Sequence, residues 1–241
     1  MILCVTGCFL ALATQVQAQQ ETEGVASHIQ RYVSGVNPGA HGNKDPHNKL
    51  SPEMHLQVAL QHKAAGRMGE AFQTLDQAIA LNPQSAELFA VRGSFYLENN
   101  NISTALNDFE IALKIEPDSA AILTNRAQAY RHFGRIGEAI ADLDRAIELN
   151  PQLVAAYFNR GSVFYSSEEY KRALSDFDNC IMLDPHAEGP YFNRAATRDA
   201  LGDRKGAIED MNRFIELSDN TEWKNSAAEI LAQWQEPGDN Q

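Results

Sequence analysis

Three asparagines, Asn125, Asn159 and Asn193, recur at one constant interval, and each amide both donates and accepts hydrogen bonds. The same interval separates Arg92, Arg126, Arg160 and Arg194, and again Asp108, Asp142, Asp176 and Asp210. A row of arginines alone would attract an acidic ligand. A matching row of aspartates predicts Arg–Asp pairs instead, within or between neighbouring units, worth roughly 0–1 kcal/mol each where partly exposed. His55 and His62 stand two helical turns apart and could begin a metal site, but no third ligand is spaced to join them. They read as polar residues of a terminal unit that meets water. Nowhere does the chain offer a nucleophile beside a base, a Gly-rich phosphate loop or a metal-ligand cluster. The expectation is a protein that is not an enzyme and needs no cofactor or metal.

The elements that carry these rows repeat with them. Pro83, Pro117, Pro151 and Pro185 keep the same spacing, and other columns align without a gap. Ala71, Ala105, Ala139, Ala173 and Ala207 form one; Leu75, Phe109, Leu143, Phe177 and Met211 form another. Ala59, Gly93, Ala127, Gly161 and Ala195 form a third, always small. Each unit shows two apolar patterns of helical period with a short break at Gly66, Asn99 to Asn101, Gly134 or Gly202. Small residues let two helix backbones approach, large ones fill the space beside them, and proline stops the second helix. A lone helix pair cannot bury both faces, so five must stack to make a core.

This pattern of small residue, aromatic, alanine, large apolar residue and proline resembles the tetratricopeptide repeat. The resemblance covers five units, at 52–85, 86–119, 120–153, 154–187 and 188–221. It implies an all-α fold, a right-handed α-solenoid of helix-turn-helix repeats. Unit five departs from the pattern, with Arg198 in place of the aromatic and Asp219 in place of proline. Thr221 is then expected to cap a last helix over 222–236, with Trp223, Ala227, Ile230, Leu231 and Trp234 at helical spacing. That C-terminal capping helix would cover the apolar face unit five leaves open, and 237–241 would be a tail.

Composition fits a folded chain of this kind, with 44% hydrophobic and 22% charged residues. A formal net charge of −12 argues against a nucleic-acid partner. Met1 to Ala13 is almost wholly apolar, and Val16-Gln17-Ala18 offers small residues before a cleavage point, although no Lys or Arg precedes the apolar run. The stretch 1–18 is therefore read as a secretory signal peptide, too short to remain as a membrane span. Export follows, to the periplasm first and to the medium second. A lipid anchor at Cys8, in Val5-Thr6-Gly7-Cys8, is the lesser alternative, because an apolar run follows that cysteine. Residues 19–51 read as a flexible linker rich in Gly, Asn and Pro turn signals. Cys180 takes a position held by Ala78, Ala112, Ala146 and Phe214 in other units and is read as a small buried residue.

In the tetratricopeptide-repeat family the first helix of each unit lines a concave groove that holds peptide segments. Carried over by position, the groove would take Asn125 and Gln128 from unit three and Phe158, Asn159, Ser162 and Tyr165 from unit four. Phe192 and Asn193 would come from unit five. The asparagines would bond an extended main chain or else neighbouring helices; the aromatics would form an apolar floor or else pack in the core. A clamp for a terminal carboxylate would need Lys or Arg here, and Ala121, Thr124, Ala155 and Gly189 join the residues above in supplying none. The function expected is a protein-interaction scaffold for a peptide segment of a partner. The alternatives are a self-associating structural module and a regulatory subunit docked to an envelope enzyme.

Overall fold

The computed structural model describes residues 51–235, and those residues form helices and connections without a strand. The expected signal peptide, nearly all of the expected linker and the C-terminal tail lie outside the described residues. The chain makes two compact units, described over 51–149 and 150–235. In the first are α1 (Pro52–Ala64), α2 (Met68–Leu81), α3 (Ala86–Glu98), α4 (Ile102–Ile115), α5 (Ala120–His132) and α6 (Ile136–Leu149). The second has α7 (Val154–Ser166), α8 (Tyr170–Leu183), α9 (Glu188–Ala200), α10 (Arg204–Leu217) and α11 (Thr221–Gln235). Except for α11, the helices pair into hairpins, a first helix of 13 residues and a second of 14.

Local chemistry sets the ends. Ser85 Oγ accepts from the Leu88 N–H at 3.4 Å, and Asp203 Oδ1 accepts from the Gly206 N–H at 3.0 Å, each satisfying a donor the helix start leaves open. Each hairpin bend needs one residue in the left-handed region. Glycine fills it at Gly66, Gly134 and Gly202, whereas Asn100 (φ 58°) and Glu168 (φ 61°) fill it in the other two hairpins. Asparagine tolerates this conformation; a glutamate there costs about 1 kcal/mol or more. At the start of α11 the cap is Asn220 rather than Thr221. Its Oδ1 accepts from Glu222 N (3.0 Å) and Trp223 N (3.1 Å), and Thr221 is the helix's first residue.

The hairpins are packed by two columns that exchange volume. Gly93 faces Phe109 and Gly161 faces Phe177; a Cβ on Gly161 would lie 2.9 Å from the Phe177 ring. Where the small residue is alanine, at Ala59, Ala127 and Ala195, the large residue in the same hairpin is Leu75, Leu143 or Met211. All of these are buried. Bulk added on one helix is thus offset by a smaller side chain on the other, as close packing requires. In the second unit α11 lays Trp223, Ala227, Ile230 and Trp234 into the core cluster that holds Tyr191, Met211 and Phe214. The Arg204 guanidinium stacks on Trp234 at 5.2 Å.

The arginine and aspartate rows meet. Within hairpins Arg92 binds Asp108, Arg126 binds Asp142, Arg160 binds Asp176 and Arg194 binds Asp210, each through Nε and Nη2 at 2.6–2.9 Å. The third nitrogen reaches the hairpin before: Arg92 Nη1 to Asp76 and Arg194 Nη1 to Asp178, both at 2.7 Å. The partner aspartates are almost wholly buried, Asp108 at 1% exposure and Asp176 at 2%. The surface-pair magnitude expected from sequence therefore does not apply, because losing the cation strands a buried carboxylate. Arg198, where other hairpins have an aromatic, adds a second cation to Asp210 at 2.9 Å.

Three outcomes follow for stability, each read by urea or thermal unfolding of the whole chain. Arg92→Met should destabilise by about 3–5 kcal/mol, and adding Asp108→Leu should restore most of that. Gly161→Ala should cost about 1–3 kcal/mol, and in combination with Phe177→Leu the total should be less than the sum of the single changes. Glu168→Gly should raise stability by about 1 kcal/mol; a loss there would contradict the strain at that bend.

Candidate functional site

The residues expected in a groove all lie on first helices, and the structure divides them by chemistry. In the first unit Asn125 is half-buried and Gln128 buried, both on α5. Near the end of the same helix the Arg131 guanidinium lies 3.5 Å from the His132 ring. In the second unit α7 carries Phe158, Asn159, Ser162 and Tyr165, and α9 carries Phe192 and Asn193.

The phenylalanines are taken up by packing. Phe158 lies 6.0 Å from Phe177 in its own hairpin and Phe192 lies 5.1 Å from Phe214, centroid to centroid. Phe192 has no exposed surface. Ser162 donates its hydroxyl to Phe158 O at 2.8 Å, one turn back on its own helix. Thr197 donates likewise to Asn193 O at 2.7 Å. These bonds lock the first helices and leave each hydroxyl its acceptor capacity.

The asparagines differ. Asn159 and Asn193 are each more than nine-tenths buried, yet Asn159 Oδ1 and Asn193 Nδ2 have no hydrogen-bond partner. A buried amide atom left unpaired costs about 1–3 kcal/mol. One atom is an acceptor and the other a donor, so the pair together can bond the C=O and N–H of a passing main chain. Either amide can present its other end by rotation. Six residues beyond Asn159 on α7, Tyr165 is half-buried with its ring edge-on to Tyr170 at 5.5 Å. Burial pushes the Tyr165 phenol above its ordinary range, and Tyr170 and Asp199 add to that. Burial also lifts the Asp199 carboxyl, against the pull of Arg204 at 3.0 Å.

Elsewhere the chemistry is closed. Cys180 is buried, donates weakly to Val154 O at 3.6 Å, and burial raises its thiol far above the reactive range. Among the described residues no group of three or more His, Cys, Asp or Glu could hold a metal ion, and no helix is long and apolar enough to cross a membrane. The sequence reading overlooked the second acid row, Asp76, Glu110, Asp144 and Asp178, although its regular spacing was visible. It also had no means of seeing that two amides lack partners.

Comparison with known proteins agrees with this architecture. Two family models, each described as tetratricopeptide repeat, match residues 95–158 and 154–186. No curated protein is a significant match to the sequence. Among solved structures, a thermophilic TPR protein of Thermus thermophilus is similar with a TM-score of 0.65 at 18% identity, covering 76% of this chain and 100% of that one. PilW, a widely conserved type IV pilus biogenesis factor, gives 0.67 at 18% identity over 76% of this chain and 90% of its own. YrrB, a TPR protein with an unusual peptide-binding site, gives 0.55 at 21% identity over 76% and 95%. At such identities the likeness speaks for the fold. The family models thus identify tetratricopeptide repeats over 95–186, and the solved structures show that the described hairpins share the fold of tetratricopeptide-repeat proteins.

Proposed function

We propose that this protein is a non-catalytic interaction scaffold that binds an extended peptide segment of a partner protein on its first helices, Asn159 and Asn193 bonding the segment's main chain. The reading rests on one observation, the two buried amides whose donor and acceptor go unmet inside the protein. Packing does not need an asparagine at either place: α3 has Val91 at the same position, and it is buried. The tetratricopeptide fold supports a protein as the partner. The likeness to a pilus biogenesis factor and to a protein with a peptide-binding site supports an assembly or adaptor task. Export to the periplasm, from the apolar stretch at 1–18, belongs to the same reading. Ser162 and Tyr165 are proposed to add contacts on the second unit, and Asn125 and Gln128 on α5 to offer polar contacts on the first. Phe158 and Phe192 act by holding α7 and α9 in place.

The test selects short random peptides by display against the immobilised full chain and titrates the best of them. Asn159→Ala with Asn193→Ala should weaken binding by about tenfold or more, two main-chain hydrogen bonds being lost, with helical content unchanged. Equal affinity in the double variant would reject the site.

A further inference from the structure

We propose that the segment held on the second unit is cationic, a lysine or arginine side chain seating between the ring of Tyr165 and the carboxylate of Asp199. The inference rests on the peptide-binding reading above and names the class of partner. Tyr165 and Asp199 are one repeat apart and hold equivalent places on α7 and α9. Each lies six positions beyond the asparagine of its own helix, about 9 Å along the axis. Six positions also turn the helix to about 120° from the asparagine, so the span is about four residues of extended chain at about 3.4 Å each, and one segment can meet both features.

The chemistry at that place suits a cation. An aromatic face attracts an ammonium or guanidinium, and a second ring, Tyr170, stands edge-on to it. Asp199 is partly withdrawn from water. Arg204 engages its Oδ1 at 3.0 Å while also lying over Trp234, which leaves the carboxylate capacity for a second donor. Burial still lifts Asp199 despite that arginine, so its charge is incompletely compensated. At the positions that would line a groove, α7 and α9 present neither Lys nor Arg, from Ala155 and Gly189 at one end to Tyr165 and Asp199 at the other. An acidic segment would meet the Asp199 carboxylate, with Arg204 already engaged by it. The arrangement reverses the terminal-carboxylate clamp, whose cations are absent.

The experiment uses the display-selected peptides on the full chain. Lysine or arginine should be enriched at one position, and replacing that arginine by citrulline, equal in shape but uncharged, should weaken binding about five- to tenfold. The citrulline effect should vanish in Asp199→Asn and shrink in Tyr165→Leu, with thermal midpoints checked for both. If Asp199→Asn alters folding, the citrulline comparison on the unaltered chain decides alone. Peptides that need Asn159 and Asn193 but show no cation preference would overturn this inference and leave the scaffold reading standing. Enrichment of Asp or Glu would do the same. Failure to select any peptide, or binding indifferent to both asparagines, would overturn the two together.

Discussion

The guanidinium of Arg194 directs two nitrogens to Asp210 in its own hairpin and the third to Asp178 in the hairpin before. Arg92 does the same with Asp108 and Asp76. Apolar burial supplies the driving force of each unit, but it is non-directional and would tolerate a hairpin slid or rotated by a few ångströms. A planar fork with fixed donor angles does not. It ties the two helices of a hairpin to each other and the hairpin to its neighbour through one group. Burying a carboxylate to do this carries a desolvation cost, so the gain is geometric more than energetic. The first helices reach defined positions because of it, and any site built from them inherits that definition.

The same exactness appears in the core, where volume is traded between helices. Gly161 beside Phe177 and Ala127 beside Leu143 are two solutions to one spacing. The alanines at Ala71, Ala105, Ala139, Ala173 and Ala207 are uniformly buried whichever solution is used.

Much of this was legible in the sequence, for a physical reason. A strict period repeats every environment, so a column of like residues reports a shared one. Arg92 and Asp108 could be paired before any coordinates because both rows had the same interval and matching charge. The burial of Asp108 was not legible, since aspartate in a column says nothing about depth, and the energy was therefore misjudged. Nor could Thr221 and Asn220 be separated as caps, because both residue types can cap and only backbone geometry selects one. The candidate site was half legible. Position placed Asn159 and Phe192 together, but whether a side chain is satisfied inside the protein depends on its neighbours' atoms. In the folded chain Phe192 is taken up by packing, and Asn159 and Asn193 keep unmet atoms.

The forks also bear on how such a chain can lengthen or shorten over evolutionary time. An inner hairpin brings an arginine for the acid behind it and an acid for the arginine ahead, while the outermost positions are neutral, Val58 in the first hairpin and Asn212 in the last. Copying a hairpin within a unit therefore repeats both charges that such a seam needs, as in Arg92 with Asp76 and Arg194 with Asp178.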